Sequence, residues 1–172
     1  YDAEIAYMDD QIARLKEAVG DEPTLWVLTA DHGESLGEHG EYTHGLYVYN
    51  STQHVPLIVS GAGVPVDVVD QPVGLIDVLP TVMGTLGISV PDGLDGTQQP
   101  GNPHPIYLES YELLNRYAWA PHVGIVEGDE KYIQLPKSEL YNQVEDMGEL
   151  QDLAGQSAGR LAALKTSLLM LE

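Results

Sequence analysis

Apolar residues recur at steps of three and four through the first nineteen positions. Ile5, Met8, Ile12, Leu15 and Val19 fall on one stripe and predict an amphipathic helix over residues 1–19, stopped by Gly20. The pattern then changes. "TLWVLTA" (24–30) is a continuous apolar run, which predicts a central strand covered on both faces. "HVPLIVSGA" (54–62) predicts a second buried strand. "GLIDVLPTVMGTLGI" (74–88) predicts a helix with Pro80 at a kink or in an early turn, and "PIYLES" (105–110) a third strand. Beyond a Gly/Pro-rich loop and residue 118 the texture is different. "HVGIVEGDEKYIQLP" reads as a hairpin turning at "EGDE", "SELYNQVEDMGELQDLAG" as turns, and Leu161, Leu164, Leu168 and Leu171 as a last amphipathic helix.

This order of elements predicts an α/β fold over residues 1–117 and a small α+β lobe over residues 118–172. The 172 residues suffice for that much core. The chain carries 27 acidic against 7 basic residues, a formal charge of −20, which argues against nucleic acid and anionic membrane as partners. No apolar run is long enough to span a bilayer. Cysteine is absent, so this chain holds no disulfide, thiolate metal site or cysteine nucleophile.

The candidate chemistry follows the first strand. "TADHGESLGEHGEYTHG" (29–45) packs three histidines, four acidic residues and four glycines into seventeen positions. In open α/β sheets ligands bind beyond the carboxyl ends of strands, where Asp31 and His32 stand. A carboxylate oxygen and an imidazole nitrogen are natural ligands for Mn²⁺, Zn²⁺ or Mg²⁺. His39 and His44 are candidates for further ligation, substrate binding or acid catalysis, with a hydrogen bond to a backbone carbonyl as the other role for His39. Glu34, Glu38 and Glu41 are expected to be solvated or to support the ligands. Asn50, His54, His104 and His122 read as structural, Asp77 as a helix cap, and Trp26 as core.

"TADHGESLGEHGEYTHGLYVYNSTQHVPLIVSG" resembles the C-terminal metal-binding segment of the sulfatase family, within the alkaline phosphatase superfamily. "YDAEIAYMDDQIARL" is similar to the helix before that strand. Asp77, Pro80 and Thr81 match a D-x-x-P-T pattern, and "EKYIQLPKSELYNQVEDMGELQDLAG" resembles the family's last segment. The resemblance covers nearly the whole chain and corresponds to roughly the last third of such an enzyme. It implies part of an alkaline-phosphatase-like mixed sheet flanked by helices, and hydrolysis of a small-molecule or carbohydrate sulfate ester. It also implies one divalent cation (Ca, Mg, Mn or Zn) held in part by Asp31 and His32, with His44 on the sulfate oxygens or leaving group. Many sulfatases carry Asn where His32 stands and bind Ca²⁺; a histidine favours a transition metal. The family nucleophile is a formylglycine made in a C/S-x-P-x-R motif. None of Arg14, Arg116 and Arg160 follows S-x-P, so the nucleophile is expected in an N-terminal part outside this chain. The chain alone is then expected to be inactive and prone to self-association through exposed sheet edges. A periplasmic or extracytoplasmic location fits the resemblance. The alternatives are a phosphomonoester or phosphodiester hydrolase, a phosphoethanolamine transferase, or a non-catalytic module on the same fold.

Overall fold

The computed structural model describes residues 1–61, 63–101 and 103–171; Ala62, the expected end of the second strand, and Asn102 in the Gly/Pro loop lie outside them. Helix α1 (Asp2–Val19) matches the predicted helix to within one residue and ends at Gly20, whose positive φ of 66° suits a residue without a side chain. Its stripe is not buried, however: Ile5, Met8 and Leu15 all face solvent.

Strand β1 (Trp26–Thr29) pairs antiparallel with β2 (Leu57–Ser60), in the register Trp26 with Ser60 and Leu28 with Ile58. Between them lie the polar loop and a one-turn helix α2 (Asn50–Gln53). The expectation that both strands are buried on both faces is corrected. Leu28 is 39% and Ile58 54% exposed, and Trp26 is only half-buried. These cross-strand partners form a bare apolar face because β1 and β2 make a two-stranded sheet with no further strand among the described residues.

Helix α3 (Val78–Thr85) follows a single 3-10 turn, Leu75–Asp77. Pro80 sits in the first turn, where its missing N–H costs nothing. Asp77 is wholly buried at the junction. Its carboxylate accepts N–H bonds from Gly74 (2.9 Å) and Thr97 (2.7 Å) and faces His104 Nε2 at 2.8 Å. The helix cap expected of Asp77 is thus also the anchor of the long loop after α3. Thr81 adds to it by accepting the Gln99 N–H at 2.9 Å.

The second sheet is antiparallel with order β3-β4-β5-β6: Ile106–Ser110, His122–Glu127, Glu130–Gln134 and Glu139–Asn142. Strands β4 and β5 are the predicted hairpin, turning at Gly128 and Asp129. Strand β6 stands where only turns were expected, and a short helix α4 (Glu112–Tyr117) follows β3. Strand β3 pairs with β4, joining the chain before residue 118 to the sheet beyond it.

Alternation along these strands builds two cores, one on each face. Val123, Ile125, Tyr132 and Leu140 pack with Leu164 and Leu168 of helix α5 (Ala158–Leu169), both fully buried as their spacing predicts. Ile133 and Tyr141 point the other way, onto Val48 and Tyr49. The segment directly after the polar loop is therefore one cover of the C-terminal sheet, which fixes that loop's exit in space. The whole is a mixed α/β fold.

Candidate active site

The loop begins where β1 ends, at Thr29, and returns to its starting point. The Ser35 N–H donates to the Thr43 carbonyl at 2.9 Å, closing residues 35–43 into an excursion and laying His44 beside Glu34. Inside the excursion Glu38 turns back to accept the Leu36 N–H (2.6 Å) and the Ser35 hydroxyl (3.2 Å). Backbone N–H groups at this turn lower its pKa below the usual carboxylate range. Glu41 departs from expectation: it is buried, not solvated, and its carboxylate accepts the Leu46 N–H at 2.9 Å. An acceptor-only group inside a glycine-rich loop satisfies amides that no regular structure pairs.

Gly33 is needed for space rather than for its dihedrals. Its N–H donates to Thr52 of α2 at 2.7 Å, and a Cβ here would lie 2.4 Å from the Ser51 carbonyl oxygen. The close approach pins the Asp31–His32 corner against α2. Asp31 Oδ1 accepts the His32 N–H at 3.0 Å, and His32 Nδ1 lies 2.9 Å from the Gly33 carbonyl oxygen. A carbonyl can only accept, so Nδ1 carries the proton and the lone pair is on Nε2. That atom lies 3.8 Å from Asp31 Oδ2, and both side chains are open to solvent. Ligand bonds of about 2.1 Å each sum to more than this separation, so both atoms can reach one cation. The donor set thus fits a divalent metal as two of its ligands. Among the described residues no group of three or more His, Cys, Asp or Glu side chains forms a metal site.

The His44 ring packs against His32 with centroids 4.2 Å apart and the planes tilted by 31°, and its Nδ1 lies 3.1 Å from Glu34 Oε2. With Nδ1–H donated to the carboxylate, Nε2 is the nitrogen left to meet a ligand. Asp31, His32 and His44 share the wall of a cavity of about 450 Å³. His39 is not among them. A positive φ of 52° turns its ring away, onto Tyr49 at 3.7 Å, with Nε2–H donating to the Gly148 carbonyl at 3.2 Å. It lines a separate cavity of about 240 Å³ together with His54 and Glu149. The Tyr49 phenol donates to Glu139 at 2.8 Å, and burial plus that carboxylate raises its pKa well above the tyrosine range.

The opposite wall of the larger cavity comes from residues that sequence reasoning passed over: Glu109, Ser110, Tyr111 and Asn115, at the end of β3 and the start of α4. The Ser110 hydroxyl donates to the Gly45 carbonyl and ties this wall to the loop. The signal was available. The polar run "ESYE" follows the apolar strand "PIYL" just as "ADHGE" follows "LWVLT", and strand ends are where ligands are met. Glu112 here is paired with Arg116 one turn along α4.

Known proteins resemble this chain in sequence and fold. A family model described as Sulfatase matches residues 1–88. The uncharacterized sulfatase YidJ of Escherichia coli is 38% identical over 162 residues, covering 86% of this chain and 32% of the relative. The choline-sulfatase of Rhizobium meliloti is 28% identical over 171 residues, covering 92% and 33%. Among solved structures, BT4656 in complex with its substrate D-glucosamine-2-N,6-O-disulfate superposes with a TM-score of 0.74 at 24% identity, covering 97% of this chain and 38% of that one. The phosphonate monoester hydrolase of Agrobacterium radiobacter gives 0.75 at 24% identity, covering 97% and 39%. At these identities the two structures speak for the fold. The chain spans about a third of the length of the curated relatives it matches. The polar loop at the end of β1, the fold around it and the sequence match over half the chain together place this protein in the sulfatase family.

Proposed function

We propose that this chain supplies the Asp31–His32 part of a divalent-cation site, and His44 as a donor to the transferring group, in a hydrolase of small-molecule or carbohydrate sulfate esters. The observation that carries the reading is the bond between His32 Nδ1 and the Gly33 carbonyl, which leaves Nε2 for a ligand 3.8 Å from Asp31 Oδ2, with both residues lining one cavity. Asp31 and His32 would hold the cation. Bound there, it supplies Lewis-acid polarisation of an ester oxygen and neutralises developing charge. Glu34 fixes the ring of His44 through Nδ1, so that Nε2 meets an anionic oxygen or the leaving group. The covalent nucleophile, a formylglycine in this reading, belongs to no residue here. The 172 residues taken alone are therefore inactive.

A second reading, hydrolysis of phosphate or phosphonate monoesters, is favoured by the fold shared with the phosphonate monoester hydrolase. Both ester classes present tetrahedral anionic oxygens, which the same donors serve. The intact protein should be assayed with aryl sulfate and with aryl phosphate mono- and diesters, alongside cation analysis. The proposal expects sulfate-ester turnover that requires the cation, and loss of both in the Asp31→Asn, His32→Ala double variant. Full cation occupancy in that variant would sink the ligand assignment. Preference for phosphate esters would establish the second reading, and neither turnover nor cation would leave a non-catalytic module.

A further inference from the structure

Lys131 is the second residue of β5 and lies on the face that carries Ile133, towards the segment that leaves the polar loop. Its side chain is 0% exposed. A buried ammonium needs partners, and it has two. Nζ lies 2.7 Å from Glu149 Oε1, an ionic contact made off the hydrogen-bonding direction, and 3.1 Å from Asn50 Oδ1. Glu149 comes from the turn after β6. It reaches inwards because its backbone is left-handed, with φ 54°, held by a bond from its N–H to the Asp146 carbonyl at 2.9 Å. Its second oxygen accepts the Asn50 N–H at 2.7 Å, and Asn50 Nδ2 donates to the Met147 carbonyl at 3.2 Å. Asn50 is thus held at its amide N–H, its side-chain oxygen and its side-chain nitrogen by segments some 80 to 100 residues away in sequence.

The consequence lies on the other side of Asn50. It is the first residue of α2, whose Thr52 carbonyl accepts the Gly33 N–H, and the Gly33 carbonyl in turn fixes the tautomer of His32. One unbroken series of contacts therefore runs from the C-terminal sheet to the candidate ligand corner. A second strap ends on the same turn, where His39 donates to Gly148 while its ring rests on Tyr49. Residues 146–149 grip the loop through its middle and through the helix that follows it.

We propose that Lys131, Glu149 and Asn50 are positioning residues for the Asp31–His32 corner, coupling the C-terminal sheet to cation binding. The cation part of this inference rests on the metal reading above; the positional part does not. Asn50→Ala removes the side-chain links to Lys131 and Met147 while leaving the backbone bond to Glu149. Leu164→Ala, under the opposite face of the same sheet, is the control for general loosening. Both are made in the intact protein, metal-free. Amide exchange of residues 31–45 is followed by mass spectrometry, and Mn²⁺ affinity by calorimetry, at temperatures matched below each variant's own unfolding midpoint. Asn50→Ala is expected to speed exchange in residues 31–45 by about tenfold and to weaken Mn²⁺ by about 10–100-fold, the usual effect of losing a support to a ligand. Leu164→Ala leaves both at wild-type values. Wild-type exchange in Asn50→Ala, or equal changes in Leu164→Ala, overturns the inference. A wild-type protein that binds no Mn²⁺ defeats the metal reading alone, and the exchange comparison still decides the positional one.

Discussion

A single methyl group at residue 33 tests how the loop is anchored. In Gly33→Ala the new Cβ would stand 2.4 Å from the Ser51 carbonyl oxygen and 3.3 Å from Thr52 Cα, both backbone atoms of α2 that no side-chain rotation can move aside. Contacts under 3.0 Å force a shift, so loop and helix must part by at least 3.0 − 2.4 = 0.6 Å. The Gly33 N–H bond to Thr52, now 2.7 Å, lies along the same approach and stretches with it. Loss of that bond costs about 1 kcal/mol and the overpacking about 1–3 kcal/mol, together about 2–4 kcal/mol of stability. The functional effect is larger than the stability suggests, because His32 is the adjacent residue and takes its tautomer from the Gly33 carbonyl. A misplacement of about 1 Å at a reacting centre costs about 10²-fold in rate. The assay pairs chemical denaturation with steady-state turnover and cation content of the intact protein. Gly159→Ala, where a Cβ meets nothing within 4 Å inside helix α5, serves as control: turnover and cation content stay unchanged, and stability rises by about 0.4–1 kcal/mol rather than falling. Wild-type stability and turnover in Gly33→Ala would refute the close-approach argument.

Three further outcomes follow from the same geometry. His44→Ala should reduce turnover by about 10²–10³-fold, the usual loss for one oxyanion donor, with Glu34→Gln milder; near-normal turnover in His44→Ala would remove it from the reaction. Lys131→Met leaves the Glu149 carboxylate buried without its cation and should destabilise by about 3–5 kcal/mol, whereas Lys131→Met combined with Glu149→Leu should recover much of that, as read from denaturant midpoints. His122 is buried, with Nδ1 unpartnered among the described residues, and burial lowers its pKa below the ordinary histidine value. The unfolded chain therefore binds a proton that the folded chain resists, so stability is full above about pH 6.5 and falls as pH drops below it. His122→Gln should flatten that fall; an unchanged pH profile would contradict it.

The parts of the fold legible in sequence are those whose periodicity is satisfied within the chain. Leu164 and Leu168 fall on one stripe and meet the sheet, and "HVGIVEGDEKYIQ" alternates and turns at Gly128 as a hairpin must. The strands β1 and β2 show the opposite case. Their apolar runs read as doubly covered, yet Leu28 and Ile58 face solvent, because a run of apolar residues records what a strand needs and not what is present to cover it. Asp31, His32 and His44 stand out in the sequence because acidic and imidazole groups are crowded there, and the fold places all three on one cavity. His39 carries the same chemistry, but the backbone at one residue turns it to Gly148, and no local signal announces a left-handed histidine. Glu41 and Lys131 were unreadable for a related reason. A charged residue in a polar loop or on a strand reads as solvated, and only the tertiary fold shows the Leu46 amide and the Glu149 carboxylate that allow them inside.

In the proposed function Asp31 and His32 hold one divalent cation. Crystals of the intact protein grown with Mn²⁺, measured at and away from the manganese absorption edge, test it without reference to activity. An anomalous peak is expected about 2.0–2.3 Å from both Asp31 Oδ2 and His32 Nε2. A peak that bonds neither atom, with His32 still donating from Nδ1 to the Gly33 carbonyl, would contradict it.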